Sequence, residues 1–120
     1  IKYLNNVRNS MLISFANEMW LLGSHLGIEA NPCLELLTII SETIWNPAYG
    51  STGGAPYGGT CFPKDTKSLL AFATDEGVQM PLLDATIRVN DKLEQLAAEG
   101  KARPAIIRGL NWRPNPGYRG

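Results

Sequence analysis

Residues 1–26, IKYLNNVRNSMLISFANEMWLLGSHL, contain no proline, and they carry apolar side chains at Leu4, Val7, Met11, Ile13, Phe15, Met19, Leu22 and Leu26, with others between. This is helical spacing with apolar residues on more than one face, which predicts a central helix contacted from several sides rather than an amphipathic surface helix. This helix is expected to serve as the spine of the domain. Gly27 is placed to end it.

Three further helices follow from the same signals. Asn31 before Pro32 reads as an N-cap followed by a first-turn proline, opening a second helix through CLELLTIISETIW. Residues 46–59, NPAYGSTGGAPYGG, are too dense in glycine and proline for helix or regular strand and form a long loop. A third helix is expected from Lys64 to about Glu76, with Leu69, Leu70 and Phe72 as its apolar side and Gly77 as its stop. A fourth runs from about Pro81 to Glu99, with Leu82, Leu83, Ala85, Ile87, Val89, Leu93 and Leu96 to bury. The expected fold class is all-α: a helical domain built on the long N-terminal helix, with a glycine-rich loop before the third helix.

Eleven basic residues balance eleven acidic ones, so net charge gives no reason to expect nucleic acid or an anionic membrane as partner. No apolar run approaches the roughly 20 residues that span a bilayer, and the start lacks the features of a secretory signal. The chain reads as soluble and cytoplasmic. Without an initiator methionine, it also reads as a piece of a longer protein. Two cysteines without a signal peptide are expected to stay reduced, and one histidine with no close cysteine pair cannot assemble a usual zinc site, so no metal is expected. His25, near the first helix's end, reads as a capping or surface residue.

The chemistry concentrates in YGGTCFPKD, residues 57–65. Cys61 follows a glycine-rich loop and precedes a helix, where backbone N–H groups favour a thiolate. Lys64 adds a positive charge, and Asp65, four residues on, can return to the cysteine's face. The competing reading makes Cys61 a small buried hydrophobe and the glycines a turn. Lys2 and Asn6, also four apart, point an ammonium and an amide in one direction, a plausible oxyanion-stabilising pair; otherwise they are solvated surface groups.

GGTCFPKDTKSLL, KYLNN continuing into ISFANE, and the distance between them resemble the central domain of the UDP-glucose/GDP-mannose dehydrogenase family over roughly residues 1–95. PAIIRGLNWRPNP is similar to the opening of that family's third, nucleotide-binding domain, which places a helical dimerisation domain at 1–101 and the truncated start of another domain at 102–120. The resemblance implies a nucleotide-sugar substrate, oxidised at C6 from alcohol to carboxylate in two hydride transfers to NAD. It implies that Cys61 forms a thiohemiacetal and then a thioester, that Lys2 and Asn6 hold the oxyanion and help proton transfer, and that Asp65 positions the hydrolytic water. Lys64 would face the cofactor, and Tyr49, Tyr57, Gly58 and Gly59 the substrate. A homodimer through the first helix is implied as well, with Met19, Trp20 and Leu21 as contact candidates.

Two departures qualify the match. Members acting on UDP-glucose carry an arginine upstream of the cysteine, where ETIWNPAYG has none, so the sugar is left open. No G-x-G-x-x-G follows a strand anywhere, so NAD would be bound mainly by a domain outside this chain, and the chain alone is expected to be inactive. The alternatives are a helical dimerisation module without catalysis and a small-anion- or nucleotide-binding module using the glycine loop.

Overall fold

The computed structural model describes residues 1–108 as an all-α arrangement of four helices: α1 (Lys2–Leu26), α2 (Asn31–Ile40), α3 (Cys61–Asp75) and α4 (Pro81–Ala98). A short 3₁₀ turn, Glu42–Ile44, follows α2. Of residues 102–120, read above as the start of another domain, 109–120 lie outside the described residues.

The helix ends follow local chemistry. After α1, α3 and α4 the chain turns through Gly27, Gly77 and Gly100, at φ 73°, 76° and 74°. In each case the residue after the glycine donates its N–H five residues back: Ile28 to Gly23, Val78 to Ala73 and Lys101 to Leu96, at 2.7 to 2.8 Å. This closing pattern satisfies otherwise orphaned carbonyls.

Two boundaries differ from expectation. The cap of α2 is Ala30 rather than Asn31, whose own N–H donates to the Glu29 carboxylate at 3.2 Å. The helix then stops at Ile40, short of Trp45, because Ser41 turns extended (φ −62°, ψ 138°) and pairs its hydroxyl with that of Thr43 at 3.0 Å. Three β-branched residues, Thr38, Ile39 and Ile40, weaken the last turn, and hydroxyl groups compete with the helical ladder. The third helix begins at Cys61 instead of Lys64. Pro63 fits there because first-turn N–H groups have no intrahelical partner to lose.

The core is small and sits at one end. Leu22, Ala73, Met80 and Leu83 are buried, with Met19, Leu26, Leu69, Leu70, Val78 and Ile87 packed against them. α3 and α4 form an antiparallel hairpin whose closed end packs on the second half of α1. Ala73, fully enclosed, takes the place expected of Phe72, which is exposed; a methyl group lets the helices approach closely. Met19, expected at a self-association surface, belongs to this core, whereas Trp20 and Leu21 are exposed. Glu18 is buried beside Leu22, and its carboxylate accepts the N–H groups of Leu82 and Leu83 at 2.8 and 2.9 Å. It caps α4 from another helix, taking two of the donors every helix N-terminus leaves unpaired.

The first half of α1 is not contacted from several sides. Leu4, Val7, Met11 and Phe15 continue the stripe that Glu18 and Leu22 bury, yet all four are exposed.

Candidate active site

At the other end of the α3–α4 hairpin, the loop between the 3₁₀ turn and α3 folds back over the second half of α4. The loop starts at Asn46, which is buried; its side-chain oxygen accepts the Ala48 N–H at 3.0 Å. Further along, the segment after α4 runs beside it. Arg103 N–H donates to the Gly54 carbonyl at 2.8 Å, and its guanidinium donates to the carbonyl of Gly53. Ile106 N–H donates to Pro56 at 2.7 Å, and Gly58 N–H donates to Ile106 at 2.9 Å, a single parallel bridge rather than a sheet. Arg108 pairs with Glu42, tying the same segment to the 3₁₀ turn.

Glycine is required where this packing is closest. A Cβ on Gly58 would stand 2.7 Å from that of Ala105, and Gly59 adopts φ +81° with Ile107 close by. The backbone is thus fixed until it enters α3 at Cys61.

Cys61 is half-buried and reduced, its Sγ 3.9 Å from the Thr60 hydroxyl; Cys33 is exposed. Because α3 includes both Cys61 and Asp65, the two lie one helical turn apart on one face. Lys64 and Asp65 are exposed and pair at 3.6 Å. Phe62 collects the two loop tyrosines edge-on, with ring centroids 5.6 Å from Tyr49 and 6.2 Å from Tyr57. These rings line a cavity of about 400 Å³ together with Val89, Asn90 and Leu93. The loop and α3 thereby bring together Tyr49, Tyr57 and Phe62; Gly58, Gly59 and Cys61 lie beside them in the chain but are not among the residues that line the cavity.

Lys2 and Asn6 occupy the first two turns of α1, and both are exposed. Among the described hydrogen bonds and ion pairs, none links them to Cys61 or Asp65; the Asn6 carbonyl accepts from Ser10 at 2.7 Å. His25 is a surface residue, 3.4 Å from Glu76 across the ends of α1 and α3.

The residue that sequence reasoning missed is Asn90. Its side chain, 8% exposed, accepts the Tyr57 N–H at 2.8 Å and donates to the Tyr57 carbonyl at 3.1 Å. A signal existed: Asn90 follows Leu83 and Ile87 on the buried stripe of α4, where helical spacing calls for an apolar residue.

The family model of the UDP-glucose/GDP-mannose dehydrogenase family, central domain, matches residues 1–92. Among curated proteins, the chain is 31% identical over 119 residues to the GDP-mannose 6-dehydrogenase of Pseudomonas putida, covering 94% of this chain and 26% of the relative. It is 36% identical over 123 residues to the UDP-glucose 6-dehydrogenase AglM of Haloferax volcanii, covering 95% and 27%. With the UDP-glucose 6-dehydrogenase TuaD of Bacillus subtilis the identity is 29% over 123 residues, covering 96% and 26%. The chain thus spans about a quarter of the length of these relatives. No solved structure matches it significantly. The family model covers most of the chain, including α1, the glycine loop and the α3 start, and on this match the chain belongs to the UDP-glucose/GDP-mannose dehydrogenase family, as its central domain.

Proposed function

We propose that the protein carrying this domain oxidises the C6 alcohol of a nucleotide sugar to a carboxylate, with Cys61 as covalent carrier. The observation that supports this most is the pinned loop: backbone fixed through residues 54–58, two close-packed glycines, and then a half-buried thiol opening a helix. A nucleophile needs such placement, because reactivity depends on holding the attacking atom against the carbon it attacks.

In this reading, which follows the family resemblance, each residue has a task. The alcohol is first oxidised to an aldehyde by loss of two electrons. The Cys61 sulfur then adds to the aldehyde carbon, giving a thiohemiacetal. A second two-electron oxidation makes a thioester. Water displaces the sulfur, releasing the carboxylate and restoring the thiol. Lys2 and Asn6 donate to the oxyanion as the carbonyl carbon becomes tetrahedral, and Asp65, one turn from the cysteine, orients the water. Tyr49 and Tyr57 offer ring surface to the substrate, and Gly58 and Gly59 allow the backbone close to it. NAD accepts the hydrides in this chemistry. The described residues include no strand followed by a glycine-rich turn and helix, so they build no dinucleotide cradle. The cofactor belongs to another part of the protein, with Lys64 toward it.

The same reading makes the protein a homodimer. The exposed stripe Leu4, Val7, Met11 and Phe15 is an apolar surface of the kind that associates, and a second copy is its occupant; Trp20 and Leu21 are exposed on other sides of the helix. No helix among the described residues is long and apolar enough to cross a membrane, and substrate and cofactor together suit a cytoplasmic location. Residues 102–120 belong, in this reading, to the start of the next domain.

The test is Cys61→Ser in the whole protein. Acid formation from UDP-glucose or GDP-mannose is expected to fall by about a thousandfold or more, with substrate affinity little changed. Full turnover by the variant would remove the covalent role and leave the domain a helical dimerisation module.

A further inference from the structure

Residues 56–58 run extended with partners on both edges. On one edge, Ile106 exchanges hydrogen bonds with Pro56 and Gly58 at 2.7 and 2.9 Å. On the other edge the described residues supply no second strand. Tyr57 turns both its backbone groups to that side, as any extended residue does, and the Asn90 amide meets them: the Tyr57 N–H donates to Oδ1 at 2.8 Å, and Nδ2 donates to the Tyr57 carbonyl at 3.1 Å. A primary amide offers one acceptor and a donor side by side, which is what the edge of a strand offers. Asn90 thus does for this loop what a neighbouring strand would do.

No other side chain reproduces the contact. Aspartate, ionised, only accepts; leucine has the shape but neither group; glutamine moves the amide by a methylene. The other polar contact of Nδ2 is the Glu94 carboxylate, one turn on, at 3.5 Å. Packing alone gives no reason for an amide on the stripe of Leu83 and Ile87.

We propose that Asn90 is a positioning residue for Cys61, setting the register in which the loop enters α3; the proposal rests on the catalytic reading of Cys61 above. From Tyr57 to the thiol the chain has only Gly58, Gly59 and Thr60 to absorb a shift. Ile106 holds residues 56–58 from one edge and Asn90 from the other, so without Asn90 the entry to α3 is held from one side alone. A displacement of about 1 Å at a reacting atom costs on the order of a hundredfold in rate.

The experiment measures Asn90→Asp, Asn90→Leu and Cys61→Ala in the whole protein, with UDP-glucose and with GDP-mannose, each with NAD. Rates are normalised to the folded fraction from circular dichroism. The Asn90 variants are expected to lose about tenfold to a hundredfold in kcat, more than they lose in substrate affinity. A lowered melting temperature with kcat per folded molecule unchanged would overturn the proposal, making Asn90 purely structural. Retained turnover by Cys61→Ala would overturn the catalytic reading instead, so the two failures are separable. Should the Asn90 variants not fold, amide exchange in the unaltered protein decides: slow exchange at Tyr57 supports the clamp, and exchange at the rate of an open loop overturns it.

Discussion

Glu18 and Leu83 are sixty-five residues apart in sequence, yet the carboxylate of one accepts the backbone N–H of the other at 2.9 Å inside the core. The bond, with its companion to Leu82, anchors the start of α4 to the middle of α1. Replacing Glu18 by alanine leaves two buried donors unpaired and a cavity beside Leu22. Urea denaturation should show a loss of roughly 2 to 4 kcal/mol. Glu18→Gln, which keeps one acceptor oxygen, should lose about half as much.

The loop makes opposite predictions for neighbouring glycines. Gly58→Ala drives a methyl group into Ala105, and an overpacked contact of this kind costs about 1 to 3 kcal/mol. Gly59→Ala forces an alanine to φ +81°, at about 1 to 2 kcal/mol. Gly53 has open space at its Cβ and no positive φ, so Gly53→Ala should leave the melting temperature unchanged or raise it slightly. Thermal melts of the three variants check this order.

The uncovered stripe of α1 predicts a dimer that breaks without unfolding. Val7 and Met11 are exposed and belong neither to the buried core nor to the residues packed against it, so Val7→Glu with Met11→Glu should leave the helical circular-dichroism signal intact. Sedimentation velocity should show a dimer for the unaltered protein and a monomer for the double variant. A monomer in both cases would remove the second copy as the occupant of this face.

Asn6 separates an oxyanion donor from a solvated side chain. In the whole protein, Asn6→Ala should lower kcat about a hundredfold with little change in stability. A surface asparagine would cost almost nothing in either measurement.

Much of this architecture was legible because it is local. The unbroken apolar spacing of α1, the proline opening α4, and the glycines ending α1 and α3 act within a turn or two of themselves, and the structure follows them. Where β-branched residues and Ser41 shortened α2, the competing local preference was present in the sequence but was outweighed by an apolar run that continues to Trp45. The start of α3 at Cys61 depended on a proline that can stand inside a first turn as well as open one.

Glu18 and Asn90 were illegible for a different reason. Each is an ordinary polar residue in a helix until its partner is known, and the partners lie 64 to 65 and 33 positions away. Their one local mark is the same: both fall on an apolar stripe, one turn before Leu22 in α1 and after Leu83 and Ile87 in α4. A polar side chain on such a stripe must find backbone to bind, since an unpaired buried group is costly.

The covalent role of Cys61 is the central claim, and trapping the thioester tests it most directly. Asp65→Ala should slow its hydrolysis by removing the group that orients water, so the acyl group accumulates during turnover. After an acid quench, peptide mass spectrometry is predicted to find Cys61, and not Cys33, carrying the mass of the sugar acyl group, and hydroxylamine should remove it. Continued acid formation with Cys61 replaced by alanine, and no acyl group on the cysteine of the Asp65 variant, would contradict the account.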